Sequence, residues 1–152
     1  MTSLLASVRP DSWNFPLFVH VFGAMILVGG LLTCGATLVS ARGNVRMLRL
    51  GYWSLLAVAL PGWILMRIGA QWIYAREHLD DAPEDPKWLV IGFITAEGGG
   101  LLLLAALIAG AIGVRRLRDG RGAGLLRATM ILSLVLLAAY VVTVWAMAGK
   151  PG

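Results

Sequence analysis

Four long apolar stretches occupy most of this 152-residue chain and decide what it can fold into. They are predicted as helices at about 15–40, 50–75, 88–114 and 128–148. Each reaches the roughly 20 residues that a helix needs to cross the hydrocarbon core of a bilayer. Charged residues make up 14% of the chain, against about 25% in a soluble domain. The sequence therefore predicts an all-α integral membrane protein whose single transmembrane domain covers 1–152.

Two short basic links, which follow the first and third predicted helices, set the expected orientation. They hold eight of the 13 Lys and Arg residues: Arg42, Arg46, Arg49, Arg115, Arg116, Arg118, Arg121 and Arg127. Because basic links stay on the cytoplasmic side, the acidic loop at 76–87 and both termini are expected outside. Short links also favour antiparallel neighbours. The predicted fold is an antiparallel four-helix bundle, N-out and C-out.

Small residues predict how the helices pack. Rows at four-residue spacing let helix backbones approach closely in lipid. Two such rows are expected to form packing surfaces, and their members are Ala105, Ala109, Gly113, Thr33, Thr37 and Ala41. The pair Pro61–Gly62 predicts a local distortion of the second helix. Cys34 is the single cysteine, which excludes an intrachain disulfide, and we expect it to pack as a small residue.

Polar side chains inside the predicted spans are the main indication of a site. His20, Arg67 and Glu97 are ionisable and costly in hydrocarbon, so they are expected to face a bundle interior or a cavity. With a rise of about 1.5 Å per residue, these three and Tyr140 lie about 8–14 Å below the outer boundary. Each helix thus contributes one polar group to one outer-leaflet layer. Two interpretations stay open, a ligand site or a structural clamp built on an Arg67–Glu97 ion pair.

The residue types in this layer indicate which cofactors to consider. A histidine in a membrane helix is a natural axial ligand of haem, with a second His or a Met as partner. Because the other histidine, His78, lies in the acidic loop, Met66 and Met147 are the candidate partners in one chain. A haem b shared by two copies of His20 in a homodimer is also conceivable. Copper is the alternative metal, since Met and His suit it, and a third possibility is that no cofactor binds.

The absence of catalytic motifs limits the function further. The sequence contains no nucleophile triad, HExxH or paired-carboxylate motif, so any activity would be redox chemistry or transport. Nothing indicates nucleic-acid binding. The expected surroundings are the lipid bilayer and, beyond it, other membrane subunits or a second copy. Three functions remain open: a haem-binding or redox-associated membrane subunit, a non-enzymatic accessory subunit of a larger membrane complex, and a small copper transporter.

The segment FVHVFGAMILVGG carries a family resemblance. It resembles the first helix of the copper-resistance-D-like integral membrane proteins and their small uncharacterised four-helix bacterial relatives. The matching residues are His20, Gly23, Gly29 and Gly30. The resemblance implies a bacterial plasma (inner) membrane protein that handles copper, haem or redox equivalents. The excess of Arg over Lys, 11 to 2, fits a GC-rich bacterial genome.

Overall fold

The computed structural model describes residues 14–76 and 87–149, and these form four long helices with no strand among them. The helices are α1 (Asn14–Ser40), α2 (Val45–Arg76), α3 (Lys87–Arg116) and α4 (Ala123–Gly149). All four are long and apolar enough to cross a membrane. The predicted all-helical class and the four predicted long apolar helices are therefore confirmed.

The starts of α2 and α4 lie five residues earlier than predicted. Before α2, the side chain of Asn44 accepts hydrogen bonds from the main-chain N–H groups of Arg46 (2.9 Å) and Met47 (3.3 Å). This N-cap satisfies donors that a helix end leaves unpaired, so the helix can begin at Val45. Arg46 and Arg49, which were expected in a loop, consequently lie on the first turns of α2.

A π-helical turn at Leu55–Ala59 interrupts the regular geometry of α2. Within it, the N–H of Leu60 bonds to the carbonyl of Leu55, five residues back instead of four. Pro61 follows directly and has no N–H to give to the carbonyl four residues before it. The distortion expected at Pro61–Gly62 therefore takes the form of a widened turn just before the proline.

Glycines bring α1 and α2 into main-chain contact. A side chain at Gly23 would collide with the backbone of Met66, and one at Gly30 would collide with the backbone of Ala59. Gly62 likewise packs directly on α1. As residue numbers rise along α1, the residue numbers of the contacting positions on α2 fall. The two helices therefore form a hairpin held by backbone-to-backbone packing.

A second hairpin is formed by α3 and α4. Gly113 lies against Leu126 near the basic link, and Gly99 lies against Tyr140 further along. The hydroxyl of Thr129 adds a hydrogen bond across this pair to the main-chain oxygen of Ala106 (3.3 Å). The hairpins meet through α1 and α4, where the fully buried Cys34 and Ser133 face each other with 3.3 Å between Sγ and Oγ.

The two predicted packing rows are wrong in the members that lie farthest from the basic links. Ala105 and Thr33 are exposed on the bundle surface, and only Gly113 and Ala41, at the ends of the rows next to the basic links, are buried. The threonine bonds the main-chain oxygen of Gly29 on its own helix instead of a neighbour. Small residues occur on lipid-facing surfaces as well, so a four-residue spacing by itself does not identify a helix interface.

The outer surface of the bundle is strongly apolar. Between 22% and 33% of the residues in the most apolar window of each helix are buried. Large side chains such as Leu101 (71% exposed) and Ile94 (68% exposed) point outward. Water would penalise such a surface, whereas lipid tails solvate it well. The burial pattern thus fits helices that face hydrocarbon.

Candidate functional site

A cleft of about 660 Å³ opens between the two hairpins, at the end of the bundle opposite the basic links. Ligand sites in proteins typically measure roughly 300–1,000 Å³ and are mostly apolar with a few polar groups. All four helices line this cleft, and its wall is predominantly apolar. The polar members and the sulfur-bearing members of the lining are His20, Arg67, Tyr74, Trp88, Tyr140, Thr143, Met25, Met66 and Met147.

His20 is held in one orientation on the α1 wall. Its Nδ1 lies 2.9 Å from the main-chain oxygen of Met66 on α2. A carbonyl oxygen only accepts hydrogen bonds, so Nδ1 carries a proton, and in the neutral imidazole Nε2 then has a lone pair. Within the part of the chain that the structure describes, Nε2 has no hydrogen-bond partner. This is the arrangement of metal-binding histidines, whose second ring nitrogen is fixed by a backbone carbonyl.

Gly69 explains why the histidine sits so close to α2. A side chain at this position would overlap the main chain of His20, with its Cβ only 2.6 Å from Cα. The bare backbone of α2 at Gly69 lets α1 approach until Nδ1 reaches the carbonyl one turn away. The glycine and the hydrogen bond together fix the position of the imidazole.

Arg67 and Glu97 form an ion pair between α2 and α3. It is the sole salt bridge among residues 14–76 and 87–149. The Arg67 side chain is 17% exposed and lines the cleft, whereas the Glu97 side chain is 63% exposed and lies outside the lining. The pair spans the seam where the second half of α2 faces α3, which is packed much less closely than either hairpin. Its opposite charges cancel beside the cleft.

Tyr140 provides an unsatisfied polar group. The residue is 4% exposed, and its hydroxyl is the one buried side-chain N or O atom in the described residues without a hydrogen-bond partner. The indole N–H of Trp63 approaches this hydroxyl but donates to the main-chain oxygen of Ala96, at 3.2 Å. Buried polar atoms in folded proteins are nearly always paired, so an orphan needs an explanation.

The predicted polar layer resolves into two levels along the bundle. Cys34 on α1 and Ser133 on α4 lie side by side. His20 is 14 residues before Cys34, and Met147 is 14 residues after Ser133. His20 and Met147 therefore share a level near the open end of the cleft. Tyr140 lies seven residues nearer to Ser133 than Met147 does, which places it about 10 Å deeper.

The methionines proposed as ligands are both in the cleft wall. Met66 is 6% exposed, and Met147 is half-buried beside Gly92. No group of three or more His, Cys, Asp or Glu side chains that could hold a metal ion occurs in the described residues. Residues 77–86, which include His78 and the acidic residues of the loop at 76–87, fall outside the described residues.

Several contributors to the cleft were not predicted from sequence. Trp63 on α2 is not in the lining but lies beside Tyr140, and a mid-span tryptophan, whose N–H needs a partner, was the available signal. Phe93 forms part of the wall and stacks edge-on with Tyr74, with 5.4 Å between ring centroids. The hydroxyl of Thr143 on α4 lies 2.9 Å from the hydroxyl of Thr95 on α3, within hydrogen-bond distance.

Comparison of this chain with protein-family models, with curated proteins and with solved structures finds no match.

Proposed function

We propose that this protein is a small membrane protein that binds haem b in the cleft, with Nε2 of His20 as the axial ligand. The observation that carries the proposal is the fixed imidazole. Its Nδ1 is bonded to the carbonyl of Met66, and its second nitrogen is unbonded at the wall of a ligand-sized cleft. A haem needs one or two axial ligands and an apolar enclosure, so a site with a single histidine suffices.

Two further features support haem over a bare metal ion. The cleft wall is mostly apolar, which suits a porphyrin face. Met147 lies on α4, which packs beside α1, at the level of His20, so a histidine and a methionine line the cleft from neighbouring helices. Such a pair is an established axial set in cytochromes and favours electron transfer. The protein would then act as a redox-associated subunit of the membrane.

The proposed placement is a bacterial plasma membrane, with an antiparallel four-helix bundle, both termini outside and the cleft in the outer leaflet. The eight Arg residues of the two links support this orientation, because they lie at the end of the bundle away from the cleft. Reporter fusions to the C-terminus test it. We expect an active periplasmic phosphatase and a dark cytoplasmic fluorescent protein, and the reverse pattern would contradict the orientation.

The absorbance spectrum of the purified full chain tests haem binding. Protein made with adequate haem supply should show a Soret band and reduced-minus-oxidised α and β bands. Met147→Leu should keep the haem but change its spin state and potential if the methionine is the second ligand. Met130→Leu is the matched control, because Met130 lies on the same helix as Met147 but outside the cleft lining. A wild-type protein without a Soret band would contradict the proposal.

Copper is the second candidate, favoured by the sulfur content of the same cleft. Met25, Met66 and Met147 line it together with His20. Thioether and imidazole ligands suit Cu(I). Competition with a chromophoric Cu(I) chelator measures the affinity. We expect Met66→Leu combined with Met147→Leu to remove binding if copper is the ligand, and to leave a Soret band in place if haem is.

A further inference from the structure

We propose a second polar subsite at the deep end of the cleft, where the hydroxyl of Tyr140 donates a hydrogen bond to an oxygen atom of the bound ligand. This inference rests on the proposed use of the cleft as a ligand site, but it does not require the ligand to be haem. The ligand class it defines is an apolar molecule that carries an acceptor oxygen at one end.

The first argument is the burial of an unpaired hydroxyl. Tyr140 is 4% exposed, lines the cleft, and has no hydrogen-bond partner for its oxygen among the described residues. A buried hydroxyl without a partner is unfavourable, because it has lost its bonds to water and gained none. A ligand oxygen in the cleft would supply the missing partner.

The second argument is the way that neighbouring residues leave this hydroxyl available. Gly99 packs directly beneath it, and a Cβ at that position would lie 2.5 Å from the hydroxyl oxygen. A glycine here therefore admits the tyrosine at its full length. Trp63, whose indole lies close to this hydroxyl, has one N–H, and it donates to the carbonyl of Ala96. Neither neighbour competes for the phenol proton.

The third argument concerns the charge and spacing of the polar groups. Arg67 is neutralised by Glu97, so the cleft holds no unpaired charge from this ion pair. His20 and Tyr140 lie on levels separated by about 10 Å along the bundle. A ligand that reaches both must be extended and largely apolar, with an oxygen beyond the part that meets His20. A carboxylate on a porphyrin side chain has this chemistry, and so does the carbonyl of a neutral alkylated quinone.

The test compares Tyr140→Phe with the wild-type full chain in lipid nanodiscs, using three probes. Haem b and decylubiquinone carry acceptor oxygens, whereas octaethylhaem is an iron porphyrin with ethyl groups and no oxygen. We expect Tyr140→Phe to weaken an oxygen-bearing probe about three- to tenfold and to leave octaethylhaem unchanged. Tyr52→Phe is the matched control, since Tyr52 lies near the basic links and outside the cleft lining. It should change no affinity.

The outcomes separate this subsite from haem binding itself. If the wild type binds decylubiquinone but neither haem, and Tyr140→Phe weakens the quinone, the haem proposal fails and the subsite stands. The subsite is overturned if Tyr140→Phe weakens octaethylhaem equally, or changes no oxygen-bearing probe. It is also overturned if the wild type binds neither oxygen-bearing probe. The ligand-free Tyr140→Phe protein should unfold at the wild-type temperature or above, and a marked fall would show that the hydroxyl is bonded within the protein.

Discussion

The imidazole of His20 donates a hydrogen bond from Nδ1 to the main-chain oxygen of Met66, across 2.9 Å between α1 and α2. Nδ1 thus helps to hold α1 against α2, and Nε2 stays available to a ligand in the cleft. The structural and ligand-binding interpretations of this histidine are therefore compatible, because they use different atoms. Substitutions can separate them.

His20→Asn is expected to keep the hairpin contact and to lose the ligand. The amide nitrogen of asparagine can occupy the position of Nδ1 and donate to Met66, but the side chain has no atom at the position of Nε2. We expect a free energy of unfolding within about 1 kcal/mol of wild type, together with loss of the Soret band. His20→Ala should lose both. A persistent Soret band in His20→Asn would exclude this axial ligand.

Gly69→Ala is expected to destabilise the α1–α2 hairpin strongly. The added methyl group would overlap the main chain of His20, which cannot move aside as a flexible side chain would. We expect a loss of about 2 kcal/mol or more, as for other overpacked interfaces. Gly98→Ala is the control, because a Cβ there meets open space, and it should be neutral or stabilising by up to about 1 kcal/mol. Thermal unfolding in detergent compares the two, and equal effects would refute the packing described.

Removing one member of the Arg67–Glu97 pair should cost more than removing both. Glu97→Leu leaves the Arg67 cation, whose side chain is 17% exposed, without its counter-ion, and we expect a loss of about 2 kcal/mol or more. The double variant Arg67→Leu with Glu97→Leu removes both charges and should be more stable than Glu97→Leu alone. Denaturant unfolding of the four proteins completes the cycle. Additive single effects would mean that the two groups do not interact.

Cys34 should report global unfolding rather than local fluctuations. It is fully buried between α1 and α4, against Ser133. In the folded bundle its thiol should react with a maleimide at a rate limited by separation of the two hairpins. Ser133→Ala removes the hydroxyl contact and is expected to lower stability by no more than about 1 kcal/mol. Fast labelling of the wild type would contradict the burial of this thiol.

The helices could be predicted from sequence because the spans are long and apolar, and such runs leave few alternatives in a bilayer. Their ends could not be placed as well, because the N-cap at Asn44 precedes a charged segment that resembles a loop. The packing rows failed for a related reason. Thr33 and Ala105 have the spacing of interface residues, but in lipid that spacing does not reveal which face meets a neighbour.

The cleft itself was only partly predictable. The depth of the polar residues along their helices grouped His20, Arg67, Glu97 and Tyr140, and all of these except Glu97 line the same cleft. The hydrogen bond that fixes His20 to Met66 involves a main-chain oxygen, which leaves no signature in the side-chain pattern. The unpaired state of the Tyr140 hydroxyl depends on where Trp63 points, and that follows from the packing of three helices.

The π turn at Leu55–Ala59 has a consequence for chain length. A π turn holds one residue more than an α turn, so α2 contains one surplus residue between its two ends. Loss of one residue inside this turn can be absorbed by a return to regular geometry, and Arg67 keeps its facing. Loss of one residue between Leu60 and Met66 cannot be absorbed in this way. It rotates the part of α2 on one side of the deletion by about 100° relative to the part on the other side. A one-residue deletion within the π turn therefore preserves the cleft, whereas the same deletion one turn later in α2 disrupts it.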